Sequence, residues 1–141
     1  TLEEEGQVVR QTTGRTAAVA ERVLDAEGVL ELQAAAVEVP LPDHVLQEIL
    51  RLTHRSRPAS PLSDDFVKRY VEWGAGPRAS QNLARAARAL ALLRGQPGAS
   101  LEEVRAIARP VLRHRVIPNY QATGDGITAE DIVSHLVEGI S

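Results

Sequence analysis

The stretch that decides the fold spans residues 77–94 and reads PRASQNLARAARALALLR. Its apolar residues recur at intervals of three and four, which places them on one face of an α-helix: Leu83, Ala87, Leu90 and Ala91. Proline suits the first helical position, and the Gly95-Gln-Pro-Gly98 run that follows ends the pattern. The stretch therefore predicts a long amphipathic helix with an alanine-rich contact face.

The composition of the whole chain also favours helices. Its 141 residues include one Trp, one Phe and two Tyr, so the core must be built from small and aliphatic side chains. Such side chains favour closely packed helices over strands, which prefer aromatic and β-branched residues. The chain has no Cys, which excludes disulfides and thiolate metal sites. We therefore expect an all-α protein, a compact bundle of about five or six helices.

Further helices are expected on both sides of this stretch, separated by loops at residues 11–16 and 56–61. Their predicted starts are Leu2, Ala26 after Asp25, Asp43, Asp64 with Ser63 as N-cap, Leu101 after a Ser100/Glu103 capping box, and Ala129 after Thr128. The Asp64 helix is expected to reach Trp73, and Pro110 is expected to kink or divide the helix after Ser100. Phe66 and Tyr70 should share one helix face. The predicted core residues are Leu46, Ile49, Leu50, Leu83, Leu90 and Val104.

Charge is unevenly distributed along the chain. Residues 51–115 carry thirteen of the sixteen Lys and Arg and five acids, whereas residues 1–50 carry ten acids. A solvated surface and an anion-binding surface both remain open. One alternative is a helical nucleic-acid- or protein-binding module that uses the basic stripes Arg85, Arg88, Arg105, Arg109, Arg113 and Arg115. The net charge of −3 and the scarcity of Lys and aromatic residues argue against nucleic acid as a partner.

Neither a membrane span nor a metal site is expected from the sequence. No apolar run approaches the roughly 20 residues that a span requires, and the acidic first residues do not resemble a signal peptide. A cytoplasmic location is therefore expected.

The four histidines (His44, His54, His114 and His135) lack metal-ligand spacing, and His114 and Arg115 are interpreted as groups that satisfy helix C-terminal carbonyls. The GxxxxGK[ST] phosphate loop is also absent.

The run Gly74-Ala-Gly-Pro-Arg-Ala-Ser80 is the feature that points to a ligand. It places a flexible turn and then Pro77 before Arg78, in the first turn of the predicted helix. A cation there opposes the helix dipole, at a cost of about 0.3–1 kcal/mol. The unpaired N–H groups and the guanidinium would however face one point, an arrangement that suits phosphate. A solvated arginine is the simpler interpretation.

This run resembles the C-terminal lid domain of the MoxR-family AAA+ ATPases, which usually carries Gly-Ala-Ser-Pro-Arg-Ala at the start of an alanine-rich helix. The similarity continues in Val111-Leu-Arg-His-Arg-Val116, where the family often shows VLRHRL. It covers roughly residues 20–140, and further matching segments are residues 23–27, 32–33, 39–43, 92–95 and 102–104. The resemblance implies that residues 1–19 are the end of the AAA+ core or a linker and that residues 20–141 are the lid.

The resemblance also implies a function. The family binds ATP with Mg²⁺ between its core and this lid, forms ring oligomers with neighbouring subunits, and assists the assembly of other protein complexes. The residue that matches its sensor-2 arginine is Arg78, and Gly76 and Pro77 would shape the cofactor-binding turn. Gly76 departs from the family's usual Ser, so a looser turn is expected. The chain lacks the core, so this fragment alone should neither hydrolyse ATP nor bind it measurably. Its client protein is unknown, and a plain interaction bundle, indifferent to changes at Arg78, is the third possibility.

Overall fold

The computed structural model describes residues 1–14 and 21–140. Eight helices and two short strands occur in this part of the chain, which confirms the all-α class but exceeds the five or six helices expected. In chain order they are α1 (Leu2–Thr12), α2 (Ala26–Glu38), α3 (Asp43–Arg55), α4 (Asp65–Tyr70), β1 (Val71–Trp73), α5 (Pro77–Leu93), α6 (Leu101–Leu112), β2 (Ile117–Pro118), α7 (Tyr120–Asp125) and α8 (Ala129–Glu138).

The chain divides into two compact units, Thr1–Leu30 and Glu31–Ser141. The domain boundary expected between residues 19 and 20 lies outside the described residues and stays a prediction. Of the loop predicted at residues 11–16, Gln11 and Thr12 belong to α1, and residues 15 and 16 are likewise outside the description.

The predicted helix starts are largely confirmed by their capping bonds. The Ser100 hydroxyl accepts from the Glu102 N–H at 3.1 Å, and the Glu103 carboxylate accepts from the Ser100 N–H at 3.0 Å. Thr128 and Asp131 form a second capping box at α8. Because each box satisfies otherwise unpaired N–H groups, the sequence alone locates these two starts. The N-cap prediction for α4 was wrong: Asp64 and not Ser63 accepts the Val67 N–H, at 2.9 Å.

The predicted helix from Asp64 to Trp73 stops at Tyr70, which is a correction. Val71 is extended, with φ −100° and ψ 129°, and β1 pairs antiparallel with β2. Val71 is buried in this ribbon, so a contact with a distant segment outweighs local helix propensity. The ribbon leads into the turn before α5.

Two further corrections concern the second half of the chain. Pro110 does not divide α6, which continues to Leu112. Proline removes one intrahelical bond, and because Pro110 lies in the last turn, that loss affects little of the helix. The short helix α7 was not predicted; the Asn119 side chain caps it by accepting the Ala122 N–H at 3.0 Å.

The core lies among α3, α5, α6 and α8, where α5 packs on α3 and α6, and α6 also packs on α8. Ile49, Leu83 and Val104 are fully buried as predicted, and Leu46 and Leu90 are half-buried. Leu50 was wrongly placed in the core, since it is 37% exposed. Successive residues on a helix point about 100° apart, so Leu50 is turned away from the buried face that holds its neighbour Ile49.

The remaining aromatic and membrane predictions can also be compared. The rings of Phe66 and Tyr70 meet edge to face with centroids 4.9 Å apart, which confirms their shared face. Among the residues described, no helix combines the length and apolar character needed to cross a bilayer. The cytoplasmic location stays a prediction.

Candidate functional site

The three residues predicted for the site lie together at the start of α5. Gly76 is the N-cap, Pro77 occupies the first helical position and Arg78 the second, and all three are exposed. Gly76 has φ −83° and ψ −178°. Because glycine has no side chain, the N-cap position makes no side-chain capping hydrogen bond. The first turn of α5 carries no acidic residue, so the partial positive charge of the helix terminus is not neutralised by a side chain of that turn.

Arg78 differs in its contacts from most arginines of the chain. Its guanidinium makes no hydrogen bond or ion pair with any of the residues described, whereas Arg94, by comparison, binds Glu102 and Glu103 at 3.1 and 2.9 Å. The Arg78 cation is therefore unpaired among the described residues, and it lies at a helix N-terminus whose first N–H groups lack intrahelical partners. Together these donors suit an anion such as phosphate.

The turn ahead of Arg78 is firmly held although Arg78 itself is exposed. Ala75 is fully buried, its N–H donates to the Ser56 hydroxyl at 2.9 Å, and its carbonyl accepts from Arg57 Nε at 2.8 Å. On the other side of Arg78, the Ser80 hydroxyl donates to Thr53 Oγ1 at 3.0 Å. The last turn of α3 and the residues just after it thus bind the backbone before Arg78 and a side chain after it.

These supporting residues were missed by the sequence interpretation. Ser56 and Arg57 were assigned to a loop, and the hydrogen bonds to Ala75 join residues 18 and 19 positions apart. No local pattern marks such a contact, because it arises when α3 and α5 pack together. The presence of Gly74 is the nearest signal, since glycine often marks a close approach of two backbone segments.

Three of the six arginines in the basic stripes proposed for nucleic-acid binding make contacts within the domain. Arg105 donates to the Ile140 carbonyl at 2.9 Å, Arg109 lies 3.8 Å from Glu130, and Arg115 donates to the Val111 carbonyl at 2.5 Å. The Arg115 bond confirms its predicted role at the end of α6. Because these cations already bind carbonyl or carboxylate oxygens, a continuous surface for a phosphate backbone is not favoured.

The histidines do not converge on a common point. His44, His54 and His114 are exposed, and His135 lies 2.6 Å from Asp64. Burial raises the pKa of Asp64, but hydrogen bonds from the Val67 N–H and from His135 outweigh it, so its pKa is lower than usual. Within the described ranges, no group of three or more His, Asp or Glu side chains could hold a metal ion. His135 and Asp64 therefore join α8 to the start of α4.

Comparison with known proteins gives the family of the fold, and the matched segment covers this turn. Residues 63–136, just over half of the chain, match the AAA lid domain family. The chain belongs to this family. The matched segment of the AAA lid domain includes β1, the Gly74–Gly76 turn and all of α5, so the candidate site lies inside it.

Two individual relatives of this AAA lid domain are of the MoxR type, and a solved ATPase structure shares its fold. Chaperone MoxR1 of Mycobacterium tuberculosis is 30% identical over 139 residues, which are 99% of this chain and 37% of that protein. Protein MoxR of Paracoccus denitrificans is 42% identical over 55 residues, or 38% of this chain and 16% of that protein. The crystal structure of a candidate ATPase from Cytophaga hutchinsonii superposes with a TM-score of 0.90 and 26% identity over 100% of this chain and 43% of that one.

These similarities confirm the expected C-terminal lid domain of a MoxR-family AAA+ ATPase. The chain spans less than half the length of these relatives. It covers 37% of MoxR1 and 43% of the Cytophaga hutchinsonii protein.

Proposed function

We propose that this lid senses bound nucleotide through Arg78, which reaches the γ-phosphate of an ATP molecule held by the AAA+ core of the same parent chain. The observation that carries this proposal is the state of Arg78. It is an exposed guanidinium with no partner among the described residues, at the start of a helix whose first turn has no acid. Arginine, with its planar fork of donors, matches phosphate geometry well.

The physical effect of such an arginine depends on when its contact is strongest. Negative charge spreads over the γ-phosphate oxygens as the bond to the leaving phosphate breaks, and a positioned guanidinium stabilises that charge. Because the arginine belongs to the lid and the nucleotide to the core, the contact also links the nucleotide state to the orientation of the lid. Gly76 and Pro77 would support this contact by setting the direction in which α5 starts.

The residues present fit a nucleotide phosphate but do not make a complete site. Arg78 and one helix terminus offer few contacts, too few to offset the entropy of immobilising ATP, so the isolated domain should not bind it measurably. The phosphate loop and the acidic residues that hold Mg²⁺ would belong to the core. Residues 1–19 are proposed to be the end of that core or the linker that follows it.

The wider role is proposed from the family and from the printed name of one relative. The name Chaperone MoxR1 supports a chaperone-like function, and AAA+ family membership supports a ring in which the lid contacts a neighbouring subunit. Trp73, which is 69% exposed beside the Arg78 turn, is a candidate for such a contact. Buried aromatic side chains often dominate the energy of an interface. The client protein stays unspecified.

The test is ATP hydrolysis by the full-length parent protein, comparing wild type with Arg78→Ala. We expect kcat to fall tenfold or more in a variant whose circular dichroism matches wild type. The matched control is Arg85→Ala, because Arg85 is another exposed arginine of α5, two turns further on. Unchanged turnover in Arg78→Ala would remove the sensor role and leave a helical interaction module. An equal loss in Arg85→Ala would instead indicate a general effect of positive charge on α5.

A further inference from the structure

Arg57 is a half-buried arginine whose described contact is a hydrogen bond to a neutral group. Its Nε donates to the Ala75 carbonyl at 2.8 Å, and no carboxylate of the described residues lies within ion-pair distance of it. Ala75 lies three positions before Arg78 and is fully buried. Placing a cation here without an acidic partner has an energetic cost. The hydrogen bond to the Ala75 carbonyl offsets part of that cost.

The opposite side of the same peptide segment is fixed by Ser56. The Ser56 hydroxyl accepts from the Ala75 N–H at 2.9 Å and donates to the Thr53 carbonyl at 2.7 Å. Ser56 is fully buried, so its hydroxyl is oriented by these two bonds rather than by water. Both backbone polar groups of Ala75 are thus bound by consecutive residues that follow α3.

Two further contacts support this turn, one at Gly74 and one at Ser80. A β-carbon on Gly74 would come within 2.3 Å of the Ser56 carbonyl oxygen, so the two backbones are in contact there. After Arg78, Ser80 is bound to Thr53. The backbone before Arg78 is therefore held at residues 74 and 75, and the Ser80 side chain is held after it, while Arg78 itself is exposed.

We propose that Arg57 is a positioning residue for Arg78: its hydrogen bond to the Ala75 carbonyl sets the angle at which α5 presents the sensor arginine. This inference rests on the proposed function of Arg78. The hydrogen bond of Arg57, and not its charge, carries the effect. A small displacement of a positioned group reduces the stabilisation of a transition state strongly, because that stabilisation depends on prior alignment.

Two substitutions separate the hydrogen bond from the charge. Arg57→Gln places an amide nitrogen the same number of bonds from the backbone as Arg Nε, so it keeps a donor and removes the charge. Arg57→Met has a methyl group at that position, so it matches Gln in length but has no donor. In the full-length protein we expect Arg57→Met to lower kcat three- to tenfold with ATP KM changed less than twofold. Arg57→Gln should stay within twofold of wild type.

A double substitution tests whether Arg57 acts through Arg78. If it does, Arg57→Met combined with Arg78→Ala should be no slower than Arg78→Ala alone, because two residues acting through one contact are not additive. Multiplied losses would overturn the inference, as would a stable Arg57→Met with wild-type kcat while Arg78→Ala is slow. Wild-type kcat in Arg78→Ala would instead overturn the proposed function, and this inference with it.

A second variant covers the case in which Arg57→Met does not fold. Ser56→Ala removes the acceptor of the Ala75 N–H with little change in volume, and it should reproduce the kcat loss and the lack of additivity with Arg78→Ala. Thermal unfolding of each protein separates folding from positioning. A folded Ser56→Ala variant with full activity, beside an inactive Arg78→Ala, would overturn the inference. So would an Arg57→Gln variant as slow as Arg78→Ala, since the charge would then be what matters.

Discussion

The α-carbon of Gly74 lies against the backbone of Ser56, so closely that no side chain fits between them. A β-carbon on Gly74 would be 2.3 Å from the Ser56 carbonyl oxygen and 2.6 Å from the Arg57 α-carbon. Gly74 does not have a positive φ, since among the described residues that applies to Gly95 and Gly126. The glycine is therefore needed for the close approach of two backbone segments and not for an unusual conformation.

This contact predicts that Gly74→Ala destabilises the domain. The clash is with backbone atoms, which cannot rotate away as a flexible side chain could, so the turn itself must move. Overpacking of this kind costs about 1–3 kcal/mol. The free energy of unfolding, measured by urea denaturation of the 141-residue chain, should fall by that amount.

Gly76 provides the matched control in the same turn. A β-carbon there meets nothing within 4 Å, and its φ of −83° is accessible to any residue. Gly76→Ser should raise the free energy of unfolding by a few tenths of a kcal/mol, since Ser is a slightly better N-cap than Gly. Equal losses in both variants would show that the Gly74–Ser56 contact is not the cause.

A second prediction concerns Glu48, a buried carboxylate of α3 that is 4% exposed. It lies 3.0 Å from Arg55, whose guanidinium also donates to the Gly139 carbonyl at 2.5 Å. Glu48→Ala would leave Arg55 without its charge partner in a largely buried position. We expect a loss of about 3 kcal/mol in the free energy of unfolding, measured by urea denaturation.

The control for Glu48 is the weaker partner of the same carboxylate. Arg51 lies 3.9 Å from Glu48 and its side chain is 66% exposed. Water screens such a pair, so Arg51→Ala should cost less than about 0.5 kcal/mol. If the two variants lose similar stability, the Glu48–Arg55 pair does not have the importance that its burial suggests.

A third prediction concerns the dependence of stability on pH. Hydrogen bonds from the Ser100 hydroxyl, and then from Arg94 and the Ser100 N–H, lower the pKa of Glu103 below its ordinary value of 4.5, although burial opposes them. The unfolded chain therefore takes up this proton first as the pH falls. The stabilisation from the Glu103 charge should be complete above pH 4.5 and should disappear as the pH falls through the folded pKa.

The variant Glu103→Gln tests this, because Gln keeps the capping box and removes the charge. It should be less stable than wild type near neutral pH, and urea denaturation over an acidic pH series should show the difference shrinking below pH 4.5. Glu102→Gln is the control, since the Glu102 side chain is 79% exposed. A constant difference between Glu103→Gln and wild type at every pH would contradict the assignment.

The sequence predicted what depends on near neighbours along the chain. The spacing of Leu83, Ala87 and Ala91 indicated a helix, and all three are buried on it. Capping at Ser100 and Thr128 located two helix starts to the residue. The turn before Arg78 could be recognised for the same reason, because a glycine, a proline and an arginine in succession have local conformational consequences.

The sequence did not reveal features that depend on distant residues. Tyr70 ends α4 because Val71 pairs with Pro118, and no rule of local propensity relates those positions. The extent of the basic stripes was likewise overestimated, because Arg105 binds a carbonyl 35 residues away. A pattern of charges along a helix indicates which side chains share a face, but not which of them already have partners.

By itself, the sequence determined that the chain is helical, where α5 begins and that Arg78 occupies its first turn, because helix propensity and capping act over four or five residues. Only the tertiary structure decided that Ser56 and Arg57 hold the Ala75 peptide and that Gly74 must lack a side chain. The physical reason is that hydrogen bonds and close backbone contacts between α3 and the turn before α5 form only when the core has packed, and many sequences with the same local pattern would pack differently.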